Sequence, residues 1–353
     1  MTDTEQRERL RPASITDVAA KAGVSSQTVS RVSNGLDTVK AETRDRVLAA
    51  MAELDYRPNS AARALKSGRF QTIGVLMFTL QNIGSIRILD AITAEAATHG
   101  FSIDLISIGD PSTGGITDAL SRLDHEAVDG IIVILEAHEL SEHSITFPDR
   151  IPSVLVDSRE YDDRISVNAD QRQGARLAVE HLLGLGHPTV WHVAGPTETS
   201  NAASDRANSW RETLRSHGIE PPEPLGGSWR AESGYEAGRS IAAREDVSAV
   251  FCANDQLALG VLRALHEAGR DVPGEISVVG FDDNPESAEY WPPLTTVRQN
   301  FAEVGQRAFA LLNQAIQRET VDPGLRLIDN ELVVRASTGA WREASQPSSI
   351  TCS

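Results

Sequence analysis

From Thr72 onward, short runs of β-branched and aliphatic residues keep returning, with helix-length stretches between them. The runs are Thr72–Met77, Phe101–Ser107, Gly130–Leu135, Ser153–Val156, Thr189–Val193, Ala249–Cys252 and Ser277–Gly280. Helical spacing fills Gln171–Leu183, Glu232–Ala243, Gln256–Glu267 and Phe301–Gln317. Strands that alternate with helices can be buried on both faces only as a doubly wound parallel sheet, so the body is α/β. It begins near Gln71 and its roughly 270 residues exceed one such sheet, which predicts two lobes.

Open α/β sheets bind ligands at the carboxyl ends of their strands. Polar residues just after a strand are therefore the candidates: Asp157, Asn254, Asp255, Asp282, Asp283, and then Gln299 with Phe301 after the run Leu294–Val297. Carboxylates and amides match the vicinal hydroxyls of a sugar, and an aromatic face covers its apolar side. Strand-end Asp and Asn also cap helices. Asp255 and Asp283 are read that way. Asp282 and Asp283, adjacent on a strand, would point to opposite faces, which argues against an acid–base pair.

Residues 14–57 differ from the body and read as helices alone. Ser14 and Asp17 form a capping-box pattern before Ile15, Val18, Ala19 and Ala22. Gly23 breaks that helix. Ser25 is a candidate N-cap for a second helix with Val29 and Val32 inward. A third helix, from about Glu42 to Leu54, carries the stripe Val47, Leu48, Met51, Leu54. Two short helices joined by a glycine turn and braced by a third make a helix-turn-helix. The outward face of the second helix is Ser25, Ser26, Gln27, Ser30 and Arg31, with no carboxylate. Such a face suits the major groove. A small solvated bundle is the competing reading.

Charge supports the division. Residues 1–70 hold 12 Lys and Arg against 9 Asp and Glu, while the rest hold 21 against 41, giving −17 for 353 residues. A slightly basic head thus precedes an acidic body that DNA would repel. Hydrophobic residues at 40% and charged residues at 24% exclude a disordered chain or a rod. No apolar run approaches a membrane span, and MTDTEQRERLRP has no secretory core. Cys252 and Cys352 are the only cysteines, with no metal spacing. His138, His143 and His187 are read as solvated loop histidines. A cytoplasmic protein without metal or cofactor is expected.

The stretch ITDVAAKAGVSSQTVSRVSNG and the following VKAETRDRVLAAMAELDYRPNSAARAL resemble the head and hinge of the LacI/GalR family of bacterial transcription repressors. HLLGLGHPTVWHVAGP, ANDQLALG, ISVVGFDD and PPLTTVRQNF continue the resemblance in order, over about Ile15 to Gly339. It implies a helix-turn-helix domain at 14–58, a hinge helix and linker at 59–69, a two-lobed effector-binding and dimerisation body at 70–340 of the periplasmic-binding-protein type, and a structureless tail at 341–353. By the same resemblance Ser26, Gln27 and Arg31 read bases. Ser14, Ile15, Ser25, Thr28, Ser30, Asn34 and Thr38 hold phosphates or the fold. Asn59, Ala62 and Leu65 belong to the hinge, with Leu65 as a minor-groove wedge. Ser26 is shorter than the Tyr of the lactose branch, so a different operator is expected. Asn59–Leu65 is too short to be a stable helix alone and should form only when something holds it; the resemblance implies a hinge helix paired with its twin in the dimer and ordered on operator DNA.

The resemblance assigns effector contacts to Phe78, Asn82, Asp157, Arg206, Trp229, Asn254, Asp282, Gln299 and Phe301. Ile134 stands where the lactose branch has Asn, so one polar contact is missing or supplied elsewhere, and a related glycoside or a longer saccharide is the expected ligand. After Gly339 no leucine heptad follows, so a homodimer on a palindromic operator is expected. The expected function is a repressor controlled by a small sugar or glycoside, a β-galactoside-like or related saccharide. Alternatives are a corepressor system with a non-sugar effector, a sugar-binding transport receptor, and an enzyme. The receptor would need export. The enzyme reading lacks GxSxG, a P-loop and GxGxxG.

Overall fold

A computed structural model describes residues 13–33, 38–56, 68–78, 80, 82–109, 113–125, 128–134, 147–148, 150–158 and 163–341. The chain falls into two compact units, 1–70 and 71–353.

In the first unit, α1 (Ile15–Ala22) opens on a reciprocal cap. The Ser14 hydroxyl accepts from the Asp17 amide, and the Asp17 carboxylate accepts from the Ser14 amide at 2.8 Å. Gly23, at φ 64°, closes the helix with its N–H on the Ala19 and Ala20 carbonyls, a left-handed conformation that costs glycine little. α2 (Ser26–Ser33) starts where Ser25 Oγ accepts from the Thr28 amide at 3.2 Å. α3 is Ala41–Glu53. The three helices bury Val18, Ala19, Ala22, Val29, Val32, Val47, Ala50 and Met51 together. One expectation fails on α3. Leu48 is 49% exposed and Ala50 is buried instead. The contact with α1 and α2 falls on the Val47–Ala50–Leu54 side of the helix, a 3–4 spacing that leaves Leu48 about 100° off the stripe.

The second unit holds two six-stranded sheets. The first contains β1 (Thr72–Met77), β2 (Ser102–Ser107), β3 (Gly130–Ile134), β4 (Ser153–Val156), β5 (Ile165–Ala169) and β11 (Gly324–Ile328), in the order β11-β5-β4-β3-β1-β2. The second contains β6 (Trp191–Ala194), β7 (Leu225–Gly226), β8 (Ala249–Cys252), β9 (Ser277–Asp282), β10 (Thr295–Arg298) and β12 (Glu331–Val333), in the order β12-β10-β9-β8-β6-β7. All pairs are parallel except β12 on β10.

Helices cover both faces of each sheet. α4 (Ile83–Thr98) and α10 (Phe301–Ile316) pack Ile88, Ile92, Val304, Phe309 and Leu312 onto the first sheet. α5 (Thr113–His125) packs Ile116, Leu120 and Leu123 on its other face. On the second sheet α8 (Ala231–Ala242) and α9 (Asp255–Glu267) lie together, with Ile241, Leu257, Val261 and Leu265 inward. α6 (Gln171–Gly184) and α7 (Asn201–Ser216) take the opposite face, around Trp210, Phe251 and Phe281.

The chain crosses between the sheets three times, after β5, β10 and β11. The crossings are tied by amides. Gln171 Nε2 donates to Gln299 Oε1 at 2.8 Å, Gln173 Nε2 to the Asn330 carbonyl at 3.1 Å, and the Asn330 amide to Gln173 Oε1 at 3.0 Å. Neither β5, β11 nor β12 stood out in the sequence. β11 and β12 are edge strands, half open to solvent, and an edge need not be apolar. Among the described residues no helix is long and apolar enough to cross a membrane.

Candidate functional site

A cavity of about 540 Å³ opens where the carboxyl ends of the two sheets meet. Asn82, Gly84, Asp157 and Phe301 line it from the first lobe, and Arg206, Trp229, Asn254 and Asp282 from the second. Gln171 and Gln299, at two of the crossings, complete its floor.

Arg206 organises that floor. It projects from α7, is 4% exposed, and lies over the Phe281 ring at 3.8 Å from the centroid, with Trp229 at 5.4 Å. Its Nε donates to Gln171 Oε1 at 2.8 Å and its Nη1 to the Ala253 carbonyl. Nη2 is 3.7 Å from Asp282 Oδ1. That carboxylate also accepts from Gln299 Nε2 at 2.6 Å. The resemblance assigned the Arg206 guanidinium a contact with the ligand. Here much of it is bonded to protein, so it also holds the floor together.

Two carboxylates face one guanidinium. Burial pushes Asp157 up from 3.8 to about 6, Arg206 pulls the other way, and Asp282 adds to the rise. Burial likewise raises Asp282, opposed by Arg206 and by the Gln299 hydrogen bond. No described residue donates a hydrogen bond to Asp157. Both side chains are aimed inward by unusual backbone. Asp157 has φ 54°, Asp282 φ 113° and Asp283 φ 50°, conformations that cost a non-glycine residue on the order of 1–3 kcal/mol each. Trp229 forms a wall packed against Gly195, where a Cβ would come within 2.6 Å of its ring.

Several expected roles change. Asn254 is the N-cap of α9, its Oδ1 accepting from the Leu257 amide at 2.8 Å, while its Nδ2 donates to the Trp229 carbonyl at 3.1 Å. Asp255, expected as a cap, is a buried acceptor instead. It takes the Asn284 amide, Ser287 Oγ and Thr296 Oγ1 at 2.5–2.8 Å and tethers the loop after β9. Asp283 is not a cap either, because it pairs with Arg298 at 2.7 Å and Arg335 at 2.6 Å. Phe78 does not line the cavity. It is 7% exposed and packs with Leu76, Ile106 and Leu120 on the α5 side of the first sheet, because its position along the strand points it to that face. Asn82 does line the cavity, and its Oδ1 caps α4 through Gly84 N at 2.8 Å. Ile134 is buried in the core of the first lobe and offers no polar atom.

His187 is no solvated loop residue. It is 4% exposed and bonded through Nδ1 to Ser248 Oγ and through Nε2 to Ser277 Oγ, both at 3.0 Å. His138 and His143 lie outside the described residues. The sequence reading missed Gln171, Ser200, Arg230 and Gln256, which also line the cavity. Gln171 carried a signal, as the polar residue that follows the Asp170 N-cap just past a strand end, but β5 had not been recognised.

In the head unit, Ser25, Gln27 and Arg31 are exposed, and Ser26, Thr28 and Ser30 are half-buried. Ser14 and Ile15 form the start of α1, and Thr38 is exposed just before α3. Ser25 Oγ and Thr28 Oγ1 lie 3.0 Å apart at the N-terminus of α2, where backbone N–H groups and the helix dipole suit a phosphate. Asn34, Asn59, Ala62 and Leu65 lie outside the described residues.

Comparison with known proteins agrees with both units. Residues 14–59 match the bacterial regulatory proteins of the lacI family, and residues 179–338 match a periplasmic binding protein-like domain. The lactose operon repressor of Escherichia coli (strain K12) is 35% identical over 331 residues, 93% of this chain and 91% of that one. The chain belongs to the lacI family. It is a DNA-binding transcriptional repressor with a ligand-binding body. Another member, the HTH-type transcriptional repressor PurR of Vibrio vulnificus (strain CMCP6), is 33% identical over 92% of this chain and 98% of its own. Among solved structures, the lac repressor dimer bound to operator and the anti-inducer ONPF superposes with a TM-score of 0.82 at 36% identity. It covers 94% of this chain and 100% of that one.

Proposed function

We propose that this lacI-family repressor is controlled by a small sugar or glycoside held between the lobes. The observation that carries the reading is Asp157, a cavity carboxylate to which no described residue donates a hydrogen bond. Several donors of the floor are already committed elsewhere: Gln171 to Gln299, Gln299 to Asp282, Asn254 to Trp229, and Arg206 through Nε and Nη1 to Gln171 and Ala253. The floor therefore asks its ligand for hydrogen-bond donors, which a polyol supplies in excess and a planar base supplies sparingly. Trp229 and Phe301 offer flat apolar faces to a sugar ring. The same geometry gives no nucleophile with an adjacent base, which favours a binding role over catalysis.

α2 is the helix that would enter the major groove, with Ser26, Gln27 and Arg31 at base edges and Ser25 and Thr28 on phosphates. A homodimer in the cytoplasm would present two such helices to a palindrome. Support comes from the dimeric, operator-bound state of the similar lac repressor. The ligand would act by favouring one lobe arrangement in which operator affinity falls. It must bind the two states unequally to do so.

The test uses lactose, o-nitrophenyl β-galactoside, cellobiose and hypoxanthine. A sugar should raise the melting temperature, since a native-state ligand stabilises by mass action. It should also weaken the gel shift of DNA upstream of the protein's own gene. Stabilisation by hypoxanthine alone would overturn the sugar reading. A sugar that strengthens the shift would make the protein a corepressor system.

A further inference from the structure

Arg87 belongs to neither the cavity wall nor the head, yet its guanidinium reaches from the first lobe to the backbone of Asp282 in the second. It sits in the second turn of α4, a helix packed on the first sheet. Its Nη1 reaches across to the Asp282 carbonyl at 3.3 Å and the Asp283 carbonyl at 3.5 Å. The same guanidinium lies over the Phe301 ring, 5.0 Å from its centroid. Its charge also favours the ionised form of Asp282.

We infer that Arg87 is a positioning residue that holds Asp282 in its ligand-competent geometry from the opposite lobe. Asp282 and Asp283 both have positive φ, and such backbone persists only where several partners pin it. On the side of the second lobe the pins are Arg298 and Arg335 on the Asp283 carboxylate, and Thr296 Oγ1 on the Asp283 amide. On the side of the first lobe the pin is Arg87. Because Phe301 and Asp282 both line the cavity, a ligand that touches them is felt by Arg87 and hence by α4. Lobe movement changes the reach of this one side chain, so site geometry and lobe arrangement are coupled through it. The inference rests on the ligand reading above, and its test separates the two.

Arg87→Gln and Arg87→Lys are compared with the parent chain. Hydrogen exchange without ligand is the first measurement. In Arg87→Gln, amides of residues 282–289 in the second lobe should exchange at least roughly tenfold faster, as expected for losing a charge-assisted bond. Arg87→Lys should restore part of that protection. Acceleration confined to α4 would mean a role only in the first lobe and would overturn the inference. Titration with o-nitrophenyl β-galactoside follows. Its affinity should fall roughly tenfold in Arg87→Gln, with less loss in Arg87→Lys. Equal affinity in both variants would overturn it as well. If the parent chain binds no glycoside, the ligand reading fails, while exchange at 282–289 still decides the strut.

Discussion

Arg206 lies over Phe281, its guanidinium carbon 3.8 Å from the ring centroid, while Nη2 is 3.7 Å from Asp282. One side chain therefore serves as packing, as counter-charge and as a bridge between the α6 crossing and the end of β8. Its removal should hurt both stability and ligand response.

Arg206→Ala removes the cation that Asp157 and Asp282 share. Breaking a buried pair typically costs about 3–5 kcal/mol, so the melting temperature of the body should drop by several degrees. Glycoside response should vanish. Arg206→Lys keeps charge but loses the planar stack and the fork, and should recover little of the response. Calorimetry with ligand titration checks both. Unchanged induction in Arg206→Ala would remove this residue from the site.

Ligand affinity should rise with pH between about 5 and 7.5. Burial lifts Asp157 to about 6, and hydroxyls that donate to it favour the ionised form, so binding releases a proton. The stability effect has the opposite sign. A carboxylate whose folded pKa is raised stays protonated in the native state longer than in the unfolded chain. It therefore lowers stability as pH climbs from about 4 through 6, by roughly 3 kcal/mol at the upper end. Titration calorimetry in two buffers of different ionisation enthalpy measures the released proton, and Asp157→Asn should abolish it.

Acid should destabilise the second lobe through its histidines. Burial lowers His187, and it lowers His192 from 6.5 to about 3. Below pH 6.5 the unfolded chain takes up protons that these native imidazoles refuse, so stability falls as pH falls. Burial of Asp255, raised to about 7, works the other way, and the parent chain blends the two. The informative quantity is a difference. His187→Gln should flatten the acid side of the denaturant-midpoint profile relative to the parent between pH 6.5 and 5.

Gly195→Ala should weaken glycoside binding while sparing the head. The new methyl would sit 2.6 Å from the Trp229 ring, forcing the half-buried indole into the cavity. A roughly tenfold loss of affinity is expected from about 1.4 kcal/mol of misplacement. DNA binding without ligand should be unchanged, which a gel shift checks.

Gln27→Ala should lower discrimination between operator and unrelated DNA more than it lowers non-specific affinity. An amide that reads a base edge is worth about 1–3 kcal/mol of discrimination. Competition gel shifts at two salt concentrations measure it. A uniform loss over all sequences, with a shallower salt slope, would identify a phosphate contact instead.

Local pattern was enough for much of this protein. The Ser14–Asp17 cap, the Gly23 turn, β1, β4 and β8, and the placement of Asp157, Asn254, Asp282, Gln299 and Phe301 on one cavity could all be read from residues one or two turns apart or from motif order. Phe78 misled because a strand end offers two faces, and only the packing of α5 selects the buried one. Asp255 and Asp283 misled for a related reason. A carboxylate at a strand end can cap the next helix or bond a distant loop, and the choice between Leu257 and residues 284–296 is settled by what the fold brings near.

What the sequence determined alone is what short range dictates: helix starts and stops, strand periodicity, and the division into a mildly basic head and an acidic body. What only the tertiary structure decided is which polar groups remain available. Arg206, Gln171 and Gln299 look in sequence like free donors. Folding brings them acceptors from 17 to 128 positions away, leaving Asp157 as a carboxylate to which no described residue donates. Hydrogen-bond satisfaction is a property of the whole buried network, and no local pattern encodes it.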